Sequence, residues 1–251
     1  MKTFYLLFIS MLIISCQEKT FADDITLVYP KNTKMKIQEF NEDLDEFGTE
    51  IIYFGKHNKK IDVKYYENSC PPPIEINETE KNNTHLLPYF RKQNLKQGET
   101  HYKEMSQELN SKNLEIIVKE KDTIPLYKNN GFENKLKKYK AFPVFIKNIS
   151  NKTLKIPTES KGVAFYAFDN DRKNFYYLRN SNYMICGYGL ENRPYFELKP
   201  NEILVYAYPF FKKGKIHKAK VKFYDASSKE FNISIDDKII ENQRNRYIMD
   251  F

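Results

Sequence analysis

Between Leu114 and Ile235 apolar and polar residues alternate with a period of two, and turn-forming residues separate one alternating run from the next. Successive side chains of a strand point to opposite faces, whereas a helix repeats its apolar stripe every three to four residues, so this pattern selects β-structure. Leu114, Ile116 and Val118 alternate, and Asp122-Thr123 precedes the apolar run 124–127. The run 142–149 leads through Ser150-Asn151 to 153–156, which Pro157 ends. Runs 163–168 and 175–178 flank Asp169-Asn170-Asp171-Arg172, a hairpin turn. Runs 195–198 and 203–208 flank Lys199-Pro200-Asn201-Glu202. Ala219, Val221 and Phe223 face one way, Lys218, Lys220 and Lys222 the other, and the turn 225–229 leads to Phe231, Ile233 and Ile235. Closely spaced strands of this kind predict two packed sheets. Runs 163–168 and 203–208 are apolar on both faces, which predicts central strands covered on both sides. The lysine face predicts a solvated outer surface or a guarded edge.

Upstream, 25–66 also reads as strands. Ile25, Leu27 and Tyr29 alternate, 51–54 is a short apolar run, and Ile61, Val63 and Tyr65 alternate with Asp62 and Lys64. Between them lie Glu39, Glu42, Asp43, Asp45, Glu46 and Glu50 with no lysine among them. Cys70-Pro71-Pro72-Pro73 forces extended backbone. Residues 77–84 are polar, and Thr100 is placed to cap a helix over 101–110 with Tyr102, Met105 and Leu109 at helical spacing. The expected organisation is a β-rich α+β module over 25–66, a polar connection with a short helix over 67–112, a sandwich over 113–236 and a tail over 237–251. Whether that tail is helix or strand stays open. The fold class is mainly β. Over 113–236 the layout resembles an immunoglobulin-like sandwich, and Val144-Phe145-Ile146-Lys147-Asn148-Ile149-Ser150-Asn151 is similar to a strand and turn of such bacterial domains. The chain has no Trp, so the antibody-type Cys–Trp–Cys core is missing. The resemblance implies architecture and no activity.

The N-terminus adds an address. Lys2 precedes an apolar run over 4–14, too short to cross a bilayer as a helix, which takes about 20 residues, and of the length of a secretory leader. It ends in Leu12-Ile13-Ile14-Ser15-Cys16, followed by Gln17-Glu18-Lys19. This segment resembles a bacterial lipoprotein signal. The resemblance implies removal of 1–15, acylation of Cys16 with palmitate-class chains, a tether over 16–24 and attachment to a membrane. Several acyl chains on one residue anchor firmly, at ~0.8 kcal/mol per buried CH₂. In that family Asp after the Cys favours the inner membrane, so Gln17 implies the outer membrane. The Lys, Asn and Ile bias and Gln17-Glu18-Lys19 resemble lipoproteins of Bacteroidota, where an acidic cluster past the Cys directs surface display. Here only Glu18 is close, with Asp23-Asp24 further on, so periplasmic and surface-facing placements both stay open. Asp122-Thr123-Ile124 matches the Asp-Thr-aliphatic O-glycosylation pattern of the same group, with Thr123 the acceptor.

Removal of the acylated Cys16 from the three cysteines leaves Cys70 and Cys186, which in an oxidising envelope compartment either bridge or stay as separate thiols. The chain carries 41 Lys+Arg against 33 Asp+Glu, a net charge of +8, and cleavage after Ser15 removes only Lys2. Once exported it meets no nucleic acid. Its basic balance then suits solubility, or attraction to anionic lipid, peptidoglycan carboxylates or an acidic glycan.

Residues able to carry chemistry are sparse. The four histidines, His57, His85, His101 and His217, have no paired zinc spacing, and His101 with Glu104 makes only one i, i+3 pair. The hydrolase elbow, the zincin helix and the phosphate-binding loop are all missing. Asp169, Asp171 and Lys173 begin like a calcium loop but place a lysine at a ligand position, and so read as a turn. The acidic stretch over 39–50 and the basic run Lys135, Lys137, Lys138 and Lys140 are of opposite sign and suited to pair. Tyr176, Tyr177, Tyr206 and Tyr208 offer a sugar-stacking platform, although strand aromatics mostly fill cores. The expectation is a lipid-anchored, non-catalytic binding or assembly protein of the envelope, with no catalytic residue, metal or cofactor assigned. Its partner would be a second envelope protein or an anionic glycan. The alternatives are a carboxylate-dependent hydrolase, which needs two acids roughly 5–10 Å apart in one cleft, and an inhibitor-type or small-ligand-binding lipoprotein.

Overall fold

A computed structural model describes residues 19–38, 46–47, 51–63, 102–130, 135–157, 163–178 and 195–246. The chain is mainly β. Its strands are β1 (Thr26–Val28), β2 (Glu46–Phe47), β3 (Ile51–Gly55), β4 (Lys60–Asp62), β5 (Leu114–Val118), β6 (Ile124–Asn130), β7 (Lys135–Asn148) and β8 (Leu154–Pro157). They continue with β9 (Ala164–Asp169), β10 (Asn174–Tyr177), β11 (Tyr195–Leu198), β12 (Ile203–Pro209), β13 (Lys215–Phe223), β14 (Ala226–Ser227) and β15 (Phe231–Ile235). Two helices, α1 (Tyr102–Glu108) and α2 (Asp237–Arg246), and a 3₁₀ turn at Phe21–Asp24 complete it.

The long strand β7 organises the first sheet. One edge pairs with β12, which in turn pairs with β3; the other edge pairs first with β6 and then with β5. Pro143 sits where β6 hands over to β5. Its carbonyl accepts from Lys119 N–H on that edge, so its missing N–H falls in the gap of the ladder, where no bond is lost. The second sheet runs β10-β9-β13, with β14 and β15 following one another on the far edge of β13. Gly214 opens β13 where a Cβ would meet the Ile235 carbonyl oxygen at 2.3 Å, so only glycine lets the two backbones approach this closely.

These sheets face each other across one apolar core. Phe142, Val144 and Ile146 of β7 and Leu204, Tyr206 and Tyr208 of β12 meet Phe165 and Ala167 of β9 and Ala219, Val221 and Phe223 of β13. Phe165 stacks on Tyr208 at 5.3 Å and packs on Phe211 at 4.8 Å. The opposite parity of the same two central strands, Tyr139, Ala141 and Phe145 with Ile203, Val205 and Ala207, forms a second core against Ala22, Ile25, Ile61 and Val63. The molecule therefore has three layers: an N-terminal cover, the first sheet and the second sheet.

The expectation for 203–208 holds, since all seven residues of β12 are buried. Run 163–168 differs. Strand β9 is flanked by β10 and β13, but only Phe165, Ala167 and Asp169 are buried, and Ala164, Tyr166 and Phe168 are half-exposed. Its outward rings are covered in part by neighbours on the same face, Tyr166 by Lys222 and Tyr177 and Phe168 by Phe175, and by no further layer among the described residues. In the stretch 25–66, read in sequence as a module of its own, β1 and β4 form a small parallel ladder and β3 is hydrogen-bonded into the first sheet through β12. The helix expected over 101–110 is α1, with Met105 and Leu109 buried, and the tail begins as α2, which inserts Ile239 and Ile240 into the sandwich core. Residues 39–45, 48–50, 64–101 and 247–251 lie outside the described residues, and with them Thr100 and most of the acidic stretch.

Candidate functional site

Residues opposite one another in an antiparallel ladder share a face. Lys220 pairs with Tyr166 and Lys222 with Ala164, while Tyr177 pairs with Tyr166 and Phe175 with Phe168. Because Phe165, Ala167, Ala219 and Val221 are buried, Tyr166, Phe168, Phe175, Tyr177, Lys218, Lys220 and Lys222 share the outer face of the second sheet. The side chains are arranged in register. Lys220 Nζ lies 4.2 Å from the Phe175 ring centroid and Lys222 Nζ 5.2 Å from that of Tyr166. Tyr166 and Tyr177 are 5.6 Å apart, and Phe168 meets Phe175 edge-on at 5.2 Å. Lys218, 65% exposed, reaches Glu230 at 4.0 Å, and Ile216 beyond it is 65% exposed. A cation over a ring face gains about 0.5–1 kcal/mol at an exposed site, which steadies the ammonium without neutralising it. The result is a row of cations beside a group of half-exposed rings, on a sheet face that no other described element covers.

The buried Asp169, Asn148 and His217 serve structure. Asp169 Oδ1 accepts from the N–H of Asp171 at 2.9 Å and of Arg172 at 3.4 Å, and Lys173 takes φ +54°, so Asp169, Asp171 and Lys173 form a turn, as expected. Asn148 donates to the carbonyls of Lys152 and Leu198 at 2.7 and 2.9 Å and accepts from Ser150 N–H and Oγ. His217, 7% exposed, has the Phe168 carbonyl 3.3 Å from Nδ1 and Asp237 Oδ1 3.0 Å from Nε2. That arrangement ties the start of α2 to β9 and β13. Lys215 bonds Asp237 at 2.7 Å and, with a smaller contribution from His217, holds its carboxyl below the usual carboxylate range. Sequence reading missed this trio because His217 and Asp237 are distant along the chain; a carboxylate at the first turn of α2 was its one local signal.

The remaining sequence candidates separate as follows. Cys16, Cys70, Cys186, His85 and His101 lie outside the described residues. Thr123 is exposed in the turn before β6, and its carbonyl accepts from the Tyr29 hydroxyl. His57 packs edge-on against Phe21 at 6.2 Å. Tyr206 and Tyr208 lie in the core and cannot stack on a ligand, whereas Tyr176 and Tyr177 are half-buried on β10. Of the two stretches of opposite sign, β2 carries Glu46 alongside Asn130 of β6, whose other edge pairs with Lys135, Lys137 and Lys138 of β7. Among the described residues no three His, Cys, Asp or Glu side chains are grouped to hold a metal ion.

No family model matches the chain, and no curated protein or solved structure shows significant similarity to it.

Proposed function

We propose that the protein is a lipid-anchored envelope protein that works by binding, through the outer face of β10, β9 and β13, with no catalytic step. The observation that carries this reading is the row of Lys218, Lys220 and Lys222 held beside the rings of Tyr166, Phe175 and Tyr177 on a face that no other described element covers. The anchor rests on the Ser15-Cys16 signal, and the N-terminal turn fits a short tether. The Thr20 N–H and Oγ1 both donate to the Asp23 carboxylate, which also pairs with Lys119 at 3.0 Å, so the fold holds the chain at Thr20, a few positions past Cys16. An outer-membrane placement and O-glycosylation at the exposed Thr123 belong to the same reading. The test has two arms. Cys16→Ala should move the protein from the membrane to the soluble fraction, and unchanged sedimentation defeats the anchor. Capture of envelope material by the detergent-solubilised protein should fall when Lys218, Lys220 and Lys222 are changed to Glu, and unchanged capture defeats the binding face.

A further inference from the structure

The occupant of the lysine face follows from where that face lies relative to the tether. The 3₁₀ turn at Phe21–Asp24 belongs to the N-terminal cover, whose Ala22 packs into the core on the side of the first sheet away from the second. Packed sheets are about 10 Å apart, so the lysine row stands two layers, roughly 20 Å, beyond the layer from which the tether leaves. From Cys16 to Lys19 the chain reaches at most ~11 Å even when fully extended. On the reading that Cys16 is acylated, the anchor cannot pass round the sandwich, and the lysine row cannot lie on the bilayer that holds it. The face is turned toward whatever fills the space beyond.

Its chemistry narrows the choice. Three lysines at alternate positions of one strand place their Cα atoms about 6.7 Å apart in a straight row some 13 Å long. Among the described residues one acid, Glu230, meets the row, through Lys218. Lys220 and Lys222 are already positioned over rings, so less side-chain freedom is lost when an anion arrives. Alongside the row, Tyr166, Phe168, Phe175 and Tyr177 are half-exposed, so part of their apolar ring surface stays open beside the ammonium groups. A ligand that fits a straight row of cations beside partly exposed ring surface has regularly repeated anions and C–H groups to set against the rings. We infer that the face binds an acidic polysaccharide, a chain of sugars bearing carboxylates, running along β13. This deepens the reading of the face as a binding surface and rests on it.

The test uses the full-length protein in detergent, bound to immobilised polygalacturonate and displaced by soluble competitors. Soluble polygalacturonate should displace it at a concentration at least tenfold below that of poly-glutamate of equal charge, and neutral dextran should not displace it. The triple change K218E/K220E/K222E should weaken retention about tenfold, equivalent to ~1.4 kcal/mol. The control K31E/K34E/K121E makes the same charge change at exposed lysines off this face and should leave retention within twofold. Equal displacement by poly-glutamate, or by micelles doped with phosphatidylglycerol, overturns the polysaccharide and leaves the face as an anion-binding surface. Equal loss in the two triples, or no loss in either, overturns both the polysaccharide and the face.

Discussion

Replacing Asn148 by Ala tests the packing of the sandwich at a single side chain. Asn148 is fully buried at the end of β7, where its amide closes three chain segments. Nδ2 donates to Leu198 at the end of β11 and to Lys152 before β8, and Oδ1 accepts twice from Ser150. The backbone of Asn148 adds a bond from Asn201 and a bond to Glu202. Truncation leaves the Leu198 carbonyl buried without this donor, a cost of about 1–3 kcal/mol, while water replaces much of what the more exposed Lys152 and Ser150 lose. Allowing about 0.5–1 kcal/mol for those partners gives a total of roughly 2–4 kcal/mol. For a domain of this size each kcal/mol moves Tm by about 2–4 °C, so the variant should melt some 5–15 °C lower. Asn148→Asp should be at least as damaging, because a carboxylate would face two carbonyl oxygens. Thermal melts followed by circular dichroism decide it: a shift below about 2 °C for Asn148→Ala would mean that the amide does not lock these turns and that the magnitudes above do not apply.

Other substitutions probe separate parts of the fold. Gly214→Ala should destabilise by roughly 1–3 kcal/mol, because its methyl would press on the backbone of Ile235 and Asp236; an unchanged denaturation midpoint would refute the close approach. Phe165→Ala should cost about 3–5 kcal/mol by emptying the aromatic centre of the sandwich, measurable in the urea midpoint. Asp23 is held down to about 2, first by the Thr20 N–H and then by Lys119, so its contribution is present above the ordinary carboxylate value near 3.8 and is lost as pH falls toward 2. Asp23→Asn should therefore make the N-terminal turn more open to proteolysis at pH 7 while leaving it little changed near pH 2, and equal cleavage of both proteins at pH 7 would refute the role. If Cys70 and Cys186 are bridged, reduction should lower Tm, whereas identical melting curves with and without reductant would establish separate thiols.

The sequence is legible where a pattern is local. Strand β12 reads as doubly covered because both parities, Ile203-Val205-Ala207 and Leu204-Tyr206-Tyr208, are apolar, and each parity enters its own core. Strand β9 carries a similar pattern, but Tyr166 and Phe168 are amphipathic or edge-shielded rings that half-exposure suits, with Lys222 over the first and Phe175 against the second. Hydrophobicity alone cannot separate a ring covered by a second layer from a ring covered by Lys222. Partnership is a further step that a period of two does not encode: β3 is a strand from its own residues, but its pairing with β12 crosses most of the chain. The lysine face was visible as alternation; the rings beside it were not, because the register of β9 and β10 against β13 places them there.

On the proposed reading, stability and binding rest on separate sets of residues. Asp169, Asn148 and His217 are buried, and each is engaged by bonds that hold a turn, a strand junction or the start of a helix. Substituting them should unfold or loosen the sandwich before it alters any surface chemistry. Lys218, Lys220 and Lys222 show the reverse. Exposed pairs and cation–ring contacts contribute about 0–1 kcal/mol each, and the inward parity of β13 keeps its place whatever the outward residues are. Charge reversal along that row should cost no more than about 1–3 kcal/mol in all and leave the sandwich folded, while weakening capture about tenfold. A variant that loses both together would show that the row is part of the fold's support, and the argument for a binding face would fall with it.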